Sequence, residues 1–561
     1  KICICTTPIR TVPTTFPPFG SMAIIQSLRK INKDPKFFNI DYFRYSEVEI
    51  IKYISENQFD IIGISAVVST AYVFTKKLSK LIRKYSPKTI IILGGNLAAS
   101  AEIVLRKTEV DICVIGDGEF IIQELVLKLE KFGNNPSSLK DIEGISFLDK
   151  DNKFVFTGYG KIPLSEEIEW PDYTILEQDG SLDYFITKDY QGLVGDLLKD
   201  ESTNHFTAAT VIIGKGCTNR CTFCHRFEKG YRIKPKNSVI DHIKHLKERY
   251  NTKYISISDE NFGGHKTKTF EIVEELGKLD IVWRAGGVRV RTITKESLEH
   301  WKKNGCEYVI FGIESGSDKI LKIMEKNATV EENINAMKWV SEAGLKTLVQ
   351  LVIGMPGETD ETIEETINYL KEISPFLEEW EVIRPSSLIS INYAQALPGT
   401  PLYEYARENG YIGNSVDEEE KYLIKISDID AYSTDHFINY TGLPLLKVLL
   451  WRWKMITEID AYNLKRRIKK DNLSLVSVFT MLLNSIFNRK KSNEKLEEKF
   501  EKEKKSGYFN IKENYYLAPL LLNKVTKTFV PLLLTLVVFI KQRSILKIIQ
   551  ISNEYFFWLI F

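Results

Sequence analysis

Residues 208–224 read Ala-Ala-Thr-Val-Ile-Ile-Gly-Lys-Gly-Cys-Thr-Asn-Arg-Cys-Thr-Phe-Cys, an apolar run that breaks on glycines and ends in three closely spaced thiols. A continuous β-branched run suits a strand covered on both faces, and glycine lets the chain turn at its end, so this stretch predicts a buried strand feeding a functional loop. From here strand and helix patterns alternate. Strand-like runs recur at Thr210 to Ile213, Tyr254 to Ser258, Ile281 to Ala285, Tyr308 to Gly312, Thr347 to Ile353 and Ser387 to Tyr393, with helical patterns such as Ser238 to Arg249 and Asp360 to Ile373 between them. Six strand-plus-helix repeats predict a partial (β/α)6 parallel barrel over residues 206–405, with function at the strand C-terminal ends.

Toward the N-terminus, residues 1–131 carry the same α/β alternation with different punctuation. A segment through Gly20 opens a helix at Ser21 to Asn32; Ile61 to Ser65 is a second apolar run, Thr89 to Leu93 ends in Gly94-Gly95-Asn96, and Asp111 to Ile115 ends in Gly116. The pattern predicts a doubly wound parallel sheet that binds ligands outside the carboxyl ends of its strands. Residues 132–205 are irregular and polar, with the turn cluster Asn134 to Ser138, and predict a linker with a small β element. Residues 406–561 are expected to be mainly α-helical, the periodicity being helical throughout beyond about Tyr440.

A chain of 561 residues, 43% hydrophobic and 27% charged, has the balance of a folded globular protein and is neither collagenous nor a small disulfide scaffold. Seven cysteines, with no basic segment followed by an apolar stretch at the N-terminus, predict a reducing, cytoplasmic setting and no signal peptide. The net charge of +2 hides an asymmetry: residues 1–440 hold 54 Lys+Arg against 64 Asp+Glu, a net of −10, while residues 441–561 hold 22 against 10, a net of +12. The acidic body has no basic stripe, so no nucleic-acid partner is expected. The basic tail carries Trp451, Trp453, the uncharged stretch Thr528 to Ile540 and the closing residues Tyr555 to Phe561. It reads either as an amphipathic surface on the inner face of an anionic membrane or as a helical cap packed on the barrel. At 13 residues the uncharged stretch is too short to span a bilayer.

Cys217, Cys221 and Cys224 stand in a Cys-x-x-x-Cys-x-x-Cys spacing directly after the first barrel strand. Thiolates this close together in a reduced compartment read as soft-metal ligands. Zinc would want a fourth Cys or His, and His225 is adjacent, but neighbouring side chains project apart; three thiolates better suit a [4Fe-4S] cluster with one open iron. With Phe223 before the last cysteine, the motif resembles that of the radical S-adenosylmethionine (SAM) superfamily. Other landmarks follow in the expected order: Ser258-Asp259-Glu260-Asn261-Phe262, Gly312-Ile313-Glu314-Ser315-Gly316, Gly354-Met355-Pro356-Gly357-Glu358-Thr359 and Pro398-Gly399-Thr400-Pro401. The resemblance implies that the open iron chelates SAM, with Asp259 and Glu260 near its amino group and Glu314, beside Ser315, at its ribose. Phe223 and the Gly354 region would flank the adenine. Cys3, Cys5, Cys113 and Cys306 lie in apolar contexts and read as core residues.

A doubly wound domain before such a barrel is similar to the cobalamin-binding subfamily, over roughly residues 1–405. The carriers are Pro17-Pro18-Phe19-Gly20-Ser21, Gly63-Ile64-Ser65, Gly94-Gly95-Asn96 and Gly116-Asp117-Gly118-Glu119. Cobalamin contacts are implied at Gly20, Ser65, Gly94, Gly95, Asn96, Gly116 and Glu119. The first of the seven histidines is His205, so this domain offers no histidine as a lower cobalt ligand. The implied enzyme is a cobalamin-dependent methyltransferase that acts on an unactivated carbon of a small-molecule or lipid substrate through a 5′-deoxyadenosyl radical. Its partner would be an electron donor such as flavodoxin or ferredoxin. A cyclase or rearrangement enzyme using the same cofactors, and a non-catalytic iron–sulfur or zinc scaffold, are the alternatives.

Overall fold

The computed structural model describes residues 1–10, 13–188, 206–225, 230–377, 385–427 and 433–471. Two sheets organise them. The N-terminal sheet is built from β1 (Ile2–Thr6), β2 (Lys36–Phe38), β3 (Ile61–Ser65), β4 (Ile90–Gly94), β5 (Ile112–Val114), β6 (Ile145–Leu148) and β7 (Phe154–Phe156), in the order β2-β1-β3-β4-β5-β6-β7. The first five strands pair in parallel, as expected of apolar runs such as Ile-Ile-Ile-Leu that are covered on both faces. The hairpin β6–β7 adds two antiparallel strands beyond β5, so the small β element after Lys131 extends this sheet. Strand order reverses between β1 and β3, which creates a crevice at their carboxyl ends where ligands bind in such folds.

The second sheet consists of β8 (Thr207–Val211), β11 (Thr252–Ile257), β12 (Val282–Val288), β13 (Cys306–Glu314), β14 (Lys346–Ile353) and β15 (Ile389–Tyr393), all parallel and in the order β15-β14-β13-β12-β11-β8. A short antiparallel pair, β9 (Gly214–Lys215) with β10 (Arg232–Ile233), follows β8. Among the described strands β8 and β15 stay unpaired with each other, so the barrel is open. Burial along β14 alternates strictly, which a closed and packed barrel would not allow. Val309, Phe311 and Ile313 of β13 and Val349, Leu351 and Ile353 of β14 enter the helix-facing core, together with Ile363 and Ile367 of the helix Asp360–Leu377. The residues between them face the concave side.

Of three apolar clusters, a small one around Ala208, Tyr254 and Tyr308 stays within the barrel sheet and the two large ones run across both sheets. One joins Ile4, Met22 and Ile122 to the barrel's outer layer, and the other joins Ile64, Leu93 and Leu97 to Met324, Met355 and Leu402. The helix Val416–Ile426 reaches back to the N-terminal domain, where its Glu420 accepts hydrogen bonds from Tyr72 (2.6 Å) and Lys76 (2.5 Å). The helix Leu445–Asp471 packs on Asp360–Leu377. Trp451, expected as part of a membrane-facing surface, is 2% exposed, and its indole donates to Asp360 at 3.0 Å. A side chain sealed against the barrel cannot enter a bilayer, so Trp451 serves the helical cap. Thr528 to Ile540 and Tyr555 to Phe561 lie outside the described residues. No helix among the described residues is long and apolar enough to cross a membrane.

Candidate active site

The cysteine loop leaves β8 over Gly216, whose φ of +79° strongly favours glycine. Two carboxylates from the end of β11 hold its entrance. Asp259 accepts from the Ile213 amide (2.8 Å) and the Tyr231 hydroxyl (3.1 Å), with the Gly214 amide nearby favouring its charged form, and the Gly216 amide does the same for Glu260. The far side is tied by Thr222, whose amide donates to Met324 O (3.0 Å) and whose carbonyl accepts from the Leu402 amide (2.9 Å). Cys217 and Cys221 are half-buried and Cys224 stands at the exposed rim, whereas Cys3, Cys5, Cys113 and Cys306 are buried in strands. Burial lifts the Cys221 thiol, opposed by Lys326 and Asn219.

Among the described residues no group of three His, Cys, Asp or Glu side chains is arranged to hold a single metal ion, so it is the chemistry of the donors that fits a cluster, three thiols in one short loop that would each ligate a separate iron.

At the end of β13 the chain turns sharply. Glu314 has φ +69°, and its carboxylate folds back beside Gly312, where an added Cβ would lie 2.5 Å from Oε1. It pairs there with Lys326 at 2.9 Å, both side chains being nearly buried. Burial alone would discharge Lys326, but Glu314 and the neighbouring Cys221 outweigh it and hold the lysine pKa above its usual value. Arg289 donates to Lys326 O at 3.2 Å and completes a cationic flank beside Cys221. This flank suits the carboxylate-bearing end of SAM, while Glu260 and Glu314 suit its ammonium and hydroxyl groups.

The other sequence-predicted SAM residues are placed differently. The Asp259 carboxylate is spent on the β8 loop; burial raises its pKa to about 7, against the opposing amide donors. Ser315 faces Thr366 (3.4 Å) and accepts from the Ser317 amide. Gly354 (φ +84°) is covered by Phe437, whose ring would lie 2.3 Å from an added Cβ, and its amide donates to Glu358. Phe223 packs against the second apolar core.

The implied cobalamin residues gather along the carboxyl edge of the N-terminal sheet. Ser65 ends β3 at the crevice, its carbonyl accepting from Thr7 Oγ1 at 3.0 Å. Gly95 (φ +90°) passes so close to the β3 end that an added Cβ would lie 2.3 Å from Ala66 O. Asn96 begins the following short helix. Gly20, Gly94 and Gly116 have no atom within 4 Å of where a Cβ would stand, so these positions present backbone to open space, as a broad ligand lying on this edge would require. Glu119 starts the helix Glu119–Phe132, and its carboxylate instead meets Lys215 (3.1 Å).

That contact belongs to a network the sequence reading missed. Lys215 also pairs with Asp117 (3.0 Å), which in turn pairs with Arg232 (3.1 Å). The loop after β5 is thereby clamped to the strands flanking the cysteine loop. Asp117 and Lys215 are 98 positions apart, and no local spacing joins them. The concave face of the half-barrel is mixed: Ala208, Tyr254, Val282, Tyr308, Ile310 and Leu348 form an apolar cluster on it, and Thr210, Ser256, Arg284, Gln350, Ser390 and Asn392 add polar groups, with Gln350 exposed and Arg284 donating to Ser256 at 2.7 Å.

Comparison with known proteins agrees with this two-part arrangement. The sequence model of the Radical SAM superfamily matches residues 211–370, and that of the B12 binding domain matches residues 6–126. The chain is 28% identical over 412 residues to a protein of Pyrococcus horikoshii named an uncharacterized methyltransferase, covering 72% of this chain and 81% of that one. It is 25% identical over 350 residues to the anaerobic magnesium-protoporphyrin IX monomethyl ester cyclase of Rubrivivax gelatinosus, covering 61% of this chain and 59% of the cyclase. In fold it is similar to the cobalamin-dependent SAM radical enzyme OxsB, solved with aqua-cobalamin and SAM bound, at a TM-score of 0.59 and 16% identity over 85% of this chain and 82% of OxsB. With a cysteine loop at the mouth of an open barrel and a glycine edge clamped beside it, the chain carries a radical SAM domain preceded by a B12-binding domain.

Proposed function

We propose that the chain is a methyltransferase that acts on a carbon of a small-molecule substrate held in the half-barrel. The observation that carries this reading is the clamp of Lys215 and Arg232 on Asp117 and Glu119, which brings the loop after β5 alongside the cysteine loop. When bound, the cluster with SAM supplies one-electron cleavage to a 5′-deoxyadenosyl radical, and cobalamin supplies methyl transfer. The chain's own residues hold and enclose. Cys217, Cys221 and Cys224 ligate, Glu260 and Glu314 orient cationic and hydroxyl groups, and Asp259 fixes the loop. Gly20, Gly94 and Gly116 leave space for the broader cofactor. The apolar cores shared by the two domains would help exclude water from the site.

The exposed Gln350 amide on the concave face offers hydrogen bonds to a small-molecule substrate. A one-electron donor of flavodoxin or ferredoxin type is the expected partner. Ring closure on the same cofactors is the second reading, favoured by the likeness to a cyclase. Incubating the reduced, cobalamin-loaded full chain with SAM separates the two. Methyl transfer yields S-adenosylhomocysteine, and its absence alongside 5′-deoxyadenosine formation would favour ring closure.

A further inference from the structure

We propose that Asn219, inside the cysteine loop, is a positioning residue that sets the reduction potential of the cluster; this rests on the cysteines holding one. Asn219 serves two of the three sulfurs at once. Its side-chain Nδ2 lies 2.9 Å from Cys221 Sγ, and its backbone N–H points to Cys217 Sγ at 3.5 Å. The same Nδ2 lies 3.3 Å from Glu325 O and 3.1 Å from Lys326 O, so its two hydrogens are shared among the sulfur and two carbonyls, while Oδ1 accepts from Asn327 Nδ2 at 2.9 Å.

These contacts fix which end of the amide faces the sulfur. Every neighbour of Nδ2 is an acceptor and the neighbour of Oδ1 is a donor, so the flipped amide would set an oxygen against a sulfur and two carbonyls. The turn that presents those carbonyls is itself constrained, since Glu325 (φ +49°) and Asn327 (φ +51°) both adopt left-handed backbone. Lys326, between them, is held by Glu314. Asn219 is thus locked by groups that have no other contact with the cysteines' sulfurs among the described hydrogen bonds.

Hydrogen bonds to ligand sulfur draw electron density from the cluster and favour its more negative, reduced form, so they raise the potential. Replacing the amide by a carboxylate turns a donor into an acceptor and adds like charge. Redox potentiometry followed by electron paramagnetic resonance, on the anaerobically reconstituted full chain without SAM, tests this. Asn219→Asp and Asn219→Ser are compared with the unaltered protein, alongside iron and sulfide content. With iron content unchanged, Asn219→Asp is expected to lower the reduced-to-oxidised ratio at a fixed poise about tenfold, which is about 59 mV for one electron. Asn219→Ser should fall between. Equal midpoints with full clusters would overturn the proposal. Loss of iron in both variants would also overturn it, leaving Asn219 as a tether for the loop. If the unaltered chain takes up no four-iron cluster, the functional reading falls together with it.

Discussion

At the carboxyl edge of the half-barrel, Cys217, Cys221, Cys224, Glu314, Lys326 and Arg289 crowd thiols and charges into one loop system. At the carboxyl edge of the N-terminal sheet, Gly20, Gly94 and Gly116 present bare backbone to open space, and the acidic pair Asp117 and Glu119 is turned toward the barrel. Both edges lie at the carboxyl ends of parallel strands, where such folds bind ligands. In the proposed function they would hold their ligands in different ways, one by coordination and charge and the other by shape. A site made by coordination tolerates little change of residue type, whereas a site made by shape tolerates many residues but no added bulk.

That contrast can be broken by substitutions that add bulk or remove a carboxylate. Gly95→Ala should do most harm, because the new Cβ would meet Ala66 O at 2.3 Å and the backbone there has φ +90°. A loss on the order of 3 kcal/mol in denaturant unfolding is expected, together with cobalamin retention. Asp259→Ala should follow, leaving the buried Ile213 amide and the Tyr231 hydroxyl without their acceptor. About 2 kcal/mol of stability should go, and iron uptake with it, whereas Asp259→Asn should retain part of both.

Glu358 sharpens the comparison through pH. Burial lifts its pKa from the ordinary 4.5 to about 7, against the Gly354 and Met355 amides that donate to it. Folding therefore favours the protonated acid. Its contribution is fully present below about pH 4.5 and is lost as pH rises through about 7. Glu358→Gln should flatten that part of the stability profile, and an unchanged slope would assign it to another group. Gly116→Ala should have the smallest effect on the fold, about 1 kcal/mol from its φ of +88°, because nothing stands within 4 Å of the added carbon. Cobalamin affinity should nonetheless drop. If the affinity is unchanged, Gly116 does not line the cofactor.

The same contrast explains what could be read before the structure. The three cysteines were legible because metal coordination needs particular residue types at short spacing, and the half-barrel was legible because its strands and helices alternate in register with apolar periodicity. Asp259 could be located but not interpreted: its carboxylate anchors the β8 loop, and only the distances to Ile213 and Tyr231 reveal this. Lys326 and Arg289 gave no local signal, since each acquires its role by meeting Glu314 or the cysteine loop across strands. Trp451 invited a surface reading from the basic character of the tail, but its indole is buried against Asp360. Charge counts describe a segment, and they do not say which face of it packs.

The most direct test of the two-edge account compares the unaltered chain with a Cys217→Ala, Cys221→Ala, Cys224→Ala variant after anaerobic reconstitution with iron, sulfide, cobalamin, reductant and SAM. Bound cobalamin and released 5′-deoxyadenosine are measured in each. The account predicts stoichiometric cobalamin in both proteins and 5′-deoxyadenosine from the unaltered chain alone. Cobalamin that disappears along with the cysteines, or 5′-deoxyadenosine that persists without them, would contradict it.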